Sequence, residues 1–229
     1  MNINYPYITE YIQSSTPEKL GLLKELEQYA HQHHVPISQP ETLRFIEVIC
    51  NIAKPKRILE IGTAIGYSAI ALATAIDNVQ CTMYNNGGNS QSEFQITTIE
   101  KSETMANIAR ENIEKANLQN RITVITGDAN EILPTLADET FDLIFVDAAK
   151  GQYIQFLPHC IRTLQKGGIL ISDNILFEGM VATDELWKKR KCTIIRNLRE
   201  YIKEIMDNNQ LDTSILPLGD GVALSYKKL

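Results

Sequence analysis

The chain has 229 residues, 44% of them hydrophobic, which suffices for one sizeable core, and a single domain spanning 1–229 is expected. A formal net charge of -6 gives the surface no general attraction for nucleic acid, so any such partner needs a local basic patch. Cys50, Cys81, Cys160 and Cys192 are scattered, without a C-x-x-C pair or histidines at ligand spacing, which argues against a disulfide framework or a structural zinc site. No apolar run approaches the ~18 residues of a membrane span, so a cytoplasmic protein with no membrane partner is expected.

Residues 1–55 read as N-terminal helices. Glu18 to His33 carries Leu22, Leu23, Leu26, Tyr29 and Ala30 at helical spacing, and Glu41 to Ala53 carries Leu43, Phe45, Ile46, Ile49 and Ile52. Between them Pro36 imposes an extended turn in HHVPIS. From 56 onward short β-branched runs alternate with helical patterns. RILEI precedes Tyr67 to Ala75, FQITTIE precedes Glu103 to Ala116, and ITVIT precedes Ala129 to Leu136. FDLIFVD then precedes Gln152 to Leu164, and GGILISD precedes a helix over Glu185 to Asn208. This rhythm predicts βαβ units and a mostly parallel α/β sheet. TSILPL and GVALSYK, joined through Gly219-Asp220-Gly221, leave no room for a crossover helix and should pair antiparallel. The segment 81–93, rich in Asn, Gly, Ser and Gln, reads as a polar insert.

The stretch Arg57 to Ala73 is a buried strand, a small-residue turn and a helix start. Gly62 allows the sharp turn, Gly66 a close ligand approach, and the helix N-terminus at Tyr67 and Ser68 presents unpaired N–H groups. A nucleotide-like cofactor is implied. Glu100, ending the second strand, can accept from both hydroxyls of a ribose, or serve as a helix-start carboxylate. Asp128 can accept from an adenine amino group or cap the next helix.

The fourth strand ends in Asp147, with Lys150 three residues on, and the fifth ends in Asp173-Asn174. Two carboxylates and a carboxamide at adjacent strand tips form an all-oxygen cluster suited to Mg²⁺ or Mn²⁺. Such an ion can bind a substrate hydroxyl, whose proton Lys150 can take. Taken singly, the two aspartates also read as helix caps and Lys150 as a solvated charge.

Together EIGTAIGYSAIALA, TTIE, GDA, FVDAAKGQY, GGILISDN and PLGDGVALS resemble the metal-dependent O-methyltransferase family that includes catechol and caffeoyl-coenzyme A O-methyltransferases. The resemblance implies a Rossmann-like class I methyltransferase fold with a seven-stranded sheet, helices on both faces, and S-adenosylmethionine as cofactor. It implies Asp147, Asp173 and Asn174 as metal ligands, Lys150 as general base, and Glu100 as the ribose acid. Ser38, Ser68, Asp128 and Ala129 would touch the cofactor, and a homodimer is implied as well. Within the family HHVPI, ILEIGTAIGYSAI, DAAKGQY, DNILFEG and LPLGDG are most similar to the bacterial tRNA 5-hydroxyuridine methyltransferases. That likeness implies methylation of the wobble-uridine 5-hydroxyl.

For the acceptor, the local signal is Trp187, Lys188, Lys189, Arg190 and Lys191, with Arg196 and Arg199 further along. The run can hold phosphates and offer an indole for stacking, or form a solvated helix face. A tRNA partner is the expectation. The alternatives are a small-molecule catechol or phenol methyltransferase and a non-catalytic RNA-binding protein. His31, His33 and His34 read as helix-end residues favoured by the dipole.

Overall fold

The computed structural model describes residues 3–83 and 94–229. Three helices lead the chain: α1 (Pro6–Ser15), α2 (Leu22–His33) and α3 (Pro40–Ala53). The alternating part follows as β1 (Arg57–Ile61), α4 (Tyr67–Met83), β2 (Gln95–Glu100), α5 (Glu103–Lys115), β3 (Ile122–Thr126), α6 (Ala129–Ile132) and β4 (Phe141–Val146). It ends with α7 (Tyr153–Thr163), β5 (Leu164–Ser172), α8 (Cys192–Asp207), β6 (Leu211–Leu216) and β7 (Val222–Lys227). The seven strands form one Rossmann-like sheet in the order β3-β2-β1-β4-β5-β7-β6. All pairings are parallel except the two made by β7, which runs antiparallel to both β5 and β6.

Alternation along the strands fills two cores. Ile58, Leu143, Phe145 and Ile171 face α3, α4 and α5, whereas Leu59, Ile61, Ile144, Val146 and Leu170 face α7 and α8. The first helix turns of α4 are buried on every side, because α2 and α3 cover it opposite the sheet. Among the described residues no helix is long and apolar enough to cross a membrane.

Four expected boundaries move. The first helix, α1, falls where no helix was specified; Pro6 occupies its first turn, a position that tolerates the missing N–H. The helix expected over Tyr67 to Ala75 continues to Met83, so the polar insert starts no earlier than residue 84, and its remainder lies outside the described residues. The helix expected over Ala129 to Leu136 stops as α6 at Ile132, and a short 3-10 turn, Leu133–Thr135, with Pro134 inside it completes the segment. The helix expected from Glu185 begins only at Cys192. Residues 188–191 supply four cations and no apolar side chain, so they have no face to bury, whereas Ile195, Leu198, Tyr201 and Ile205 give α8 a buried stripe. Trp187 to Lys191 therefore belongs to a loop with short 3-10 turns, which corrects its placement on a helix.

Candidate active site

Parallel pairing carries the hydrogen-bond ladder past the strand ends. Gly62 N–H donates to Ile99 O at 2.9 Å, Asp147 N–H to Ile61 O at 2.9 Å, and Asp173 N–H to Val146 O at 3.0 Å. The tips of β1, β2, β4 and β5 are thus successive rungs of one structure. A cavity of about 550 Å³ opens over them. Its lining includes Ser38, Gly62, Ser68, Glu100, Asp128, Ala129, Asp147 and Lys150.

Gly62 sits where no other residue fits. Its φ is +102°, and a Cβ there would lie 2.1 Å from the Asp147 carbonyl oxygen. Gly66 serves a different purpose from the expected one: a Cβ would meet the Ala109 side chain at 3.3 Å, so the close approach is that of α5, and Gly66 is not among the cavity-lining residues. Asn112, also on α5, donates to Ile65 O at 2.9 Å and fixes the same turn.

Glu100 binds two turns at once. One carboxylate oxygen accepts from Ala64 N–H and the other from Ser102 N–H, both at 2.8 Å, while its side chain borders the cavity. Asp128 caps α6 through Asn130 N–H at 2.9 Å and pairs with Lys101 at 2.7 Å, contacts that hold its carboxyl below the usual range. Beneath the glycine turn Glu60 is fully buried and accepts from Ser68 Oγ and Thr98 Oγ1. Burial pushes its carboxyl up to about 7, with the Asp147 and Glu100 charges acting in the same direction.

At the other end of the cavity, Asp147 Oδ1 accepts from Lys150 Nζ at 2.8 Å, and Oδ2 lies 3.4 Å from Ser38 Oγ. Asp173 is 1% exposed, and its Oδ1 accepts from Asn174 N–H at 2.7 Å. Burial, then the neighbouring Asp147 charge, raises the Asp173 carboxyl to about 7. Asp173 and Asn174 are not among the residues that line the cavity. Among the described residues no group of three or more His, Cys, Asp or Glu is spaced to hold a metal. The donor set here is two carboxylates and a carboxamide. Two neighbouring carboxylates, one of them pushed toward protonation by burial and then by the charge of the other, are an environment that a hard cation relieves, so the residues fit Mg²⁺ or Mn²⁺.

Several contributors were not among the expected site residues. His33, His34 and Val35 border the cavity, with His34 in a left-handed conformation that ends α2. Pro36 was the available clue, since it holds this stretch extended. Tyr153 is buried, with its hydroxyl 3.2 Å from Val146 O and 3.1 Å from Asp173 O, so it spans the two tips from below. The run Trp187 to Lys191 does not border the cavity. Trp187 Nε1 donates to Met180 O at 3.0 Å and its ring lies under Arg199, 4.8 Å away, while Lys188 and Lys191 pair with Glu178.

This sheet order, with a glycine turn, an acid on the second strand and paired carboxylates on the fourth and fifth, is the layout of a class I methyltransferase. A family described as O-methyltransferase matches residues 13–228, and the chain belongs to it. A catechol O-methyltransferase of Niastella koreensis is 28% identical over 197 residues, covering 82% of this chain and 81% of its own. A caffeoyl-CoA O-methyltransferase of Populus kitakamiensis is 28% identical over 229 residues, covering 93% and 89%. Among solved structures, the Bacillus cereus O-methyltransferase in complex with SAH superposes with a TM-score of 0.79 at 28% identity, covering 97% of each chain.

Proposed function

We propose that this protein transfers the methyl group of S-adenosylmethionine to a hydroxyl oxygen of a small catechol-like or phenolic acceptor, assisted by Mg²⁺ or Mn²⁺. The observation that carries the proposal is the Asp147–Lys150 pair opening into the same cavity as Gly62 and Glu100, with Asp173 and Asn174 on the next strand tip. A volume of about 550 Å³ lies inside the roughly 300–1,000 Å³ usual for small-molecule sites. Relatives named for catechol and caffeoyl-CoA point the same way.

In this reading Glu100 accepts from the ribose hydroxyls, the N-terminus of α4 near Ser68 faces the cofactor carboxylate, and Asp128 with Ala129 borders the adenine. Asp147, Asp173 and Asn174 would hold the divalent cation, which supplies positive charge that acidifies the acceptor hydroxyl. Lys150 Nζ would receive the hydroxyl proton once it has lost its own, as it can when the cation takes over the Asp147 charge, and Asp147 Oδ1 keeps that nitrogen in place. The acceptor oxygen then displaces the sulfide from the methyl carbon in line, and most of the acceleration comes from orientation.

A second reading takes tRNA bearing 5-hydroxyuridine as acceptor; the exposed Lys189 and Arg190 favour it. The clamped Trp187 weighs against it, because an indole bonded to Met180 O and covered by Arg199 has no free face on that side for a base. A homodimer belongs to the proposal on the family resemblance, and the solution mass measured by light scattering tests it.

The deciding experiment incubates purified protein with methyl-labelled S-adenosylmethionine, Mg²⁺ and, in parallel, catechol, caffeoyl-CoA or tRNA bearing 5-hydroxyuridine. Label on a phenol supports the first reading, label confined to tRNA replaces it with the second, and label on none overturns both. Removing the divalent cation with EDTA should lower transfer by about 100-fold, equivalent to a few kcal/mol of barrier, while SAH still binds.

A further inference from the structure

The turn Gly219-Asp220-Gly221 between β6 and β7 has no part in the chemistry above, yet it meets the backbone that carries Asn174. Ile175 N–H donates to Gly221 O at 2.9 Å, Leu176 N–H to Asp220 O at 3.1 Å, and Glu178 N–H to the Asp220 carboxylate at 2.6 Å. The stretch so held is a costly one. Asn174, Phe177 and Glu178 all adopt left-handed backbone, with φ of 57°, 48° and 57°, a conformation that non-glycine residues keep only where their surroundings enforce it. The contact is close, since a Cβ on Gly221 would stand 2.4 Å from Leu176 Cγ. The Asp220 carboxyl also lies within electrostatic reach of Lys150 and Asp173, and burial raises it above the usual carboxylate range.

We infer that Asp220 is a positioning residue for the divalent cation: its carboxylate fastens Glu178 N–H and so closes the clasp that the Gly221 and Asp220 carbonyls make on Ile175 and Leu176, next to Asn174. The inference rests on the metal-dependent reading of the site. A shell of this kind typically governs affinity by ten- to a hundredfold, roughly, even though it never touches the ion.

The test measures Mn²⁺ binding to the full chain by electron paramagnetic resonance and SAH binding by calorimetry. Asp220→Ala should weaken Mn²⁺ binding at least about tenfold and leave SAH affinity near the wild-type value. Asp220→Asn, whose amide oxygen can still accept from Glu178 N–H, should recover most of the lost Mn²⁺ affinity. Gly221→Ala displaces Leu176 without altering the carboxylate, and it should reproduce the Asp220→Ala result, which keeps the inference testable if that variant does not fold. Wild-type Mn²⁺ affinity in Asp220→Ala or Gly221→Ala overturns the clasp. So does equal loss in the Ala and Asn variants, which would make charge the cause, or parallel loss of SAH affinity, which would make the role merely structural. Absence of Mn²⁺ binding in the wild-type protein would instead remove the metal reading itself, and the inference with it.

Discussion

Glu60 and Asp173 have similarly raised carboxyls for the same main reason, burial, with the Asp147 charge adding to it at both. Asp173 lies at the chemistry end, whereas Glu60 is sealed beneath the glycine turn, where the Ser68 and Thr98 hydroxyls offset part of the rise. For Glu60 the folded value of about 7 stands above the ordinary 4.5, so the folded state holds the proton more tightly than the unfolded state. Its contribution is intact below about 4.5 and is lost as pH rises through 7, reaching about 3 kcal/mol of destabilisation. Glu60→Gln should remove that slope, so its stability relative to wild type rises by about 3 kcal/mol between pH 4.5 and pH 8 in urea titrations. At the other end, Asp147→Ala and Asp173→Ala should each lower methyl transfer by about 100-fold or more, with SAH affinity in calorimetry largely kept. Full transfer by either variant would remove the metal-assisted mechanism.

Among the elements, the strand-to-helix turns carry the precision. Gly62→Ala places a methyl group against the Asp147 carbonyl in an unfavourable backbone region, and about 3 kcal/mol of stability should be lost in urea unfolding. The end of α7 depends on one buried cation: Lys227 Nζ donates to Ile161 O at 2.8 Å and to Leu164 O at 2.6 Å. Lys227→Met should cost about 2 kcal/mol, because those carbonyls would remain buried without partners. The strands were legible in the sequence because short runs such as RILEI, buried on both faces, and ITVIT, at the sheet edge, carry β-branched residues with no competing helix pattern. The start of β5 was less so. The run was read from Gly167, yet β5 pairs from Leu164 through a register shift, with Gly167 at φ +79°. The site was legible where an acidic residue closes a strand, as at Glu100, Asp147 and Asp173. It was not legible where long-range contact confers the role, as with Tyr153 under two strand tips, or Asp220 clasping a loop 42 residues away.

At the scale of the whole molecule, a net charge of -6 goes with a basic run in which Lys188 and Lys191 pair with Glu178 while Lys189 and Arg190 are exposed. If the acceptor is a small phenol, Lys189→Ala combined with Arg190→Ala should leave turnover unchanged. If tRNA is the acceptor, the same pair should weaken its binding and flatten the salt dependence measured by filter retention.

The placement of β7 has a consequence for biosynthesis. The strand follows β6 in the chain, yet it lies inside the sheet between β5 and β6. A nascent polypeptide halted before Val222 would expose the open flank of β5 and leave the segment after Asn174 without its contacts to Asp220 and Gly221. Products terminated there should be inert even though most of their sheet can form.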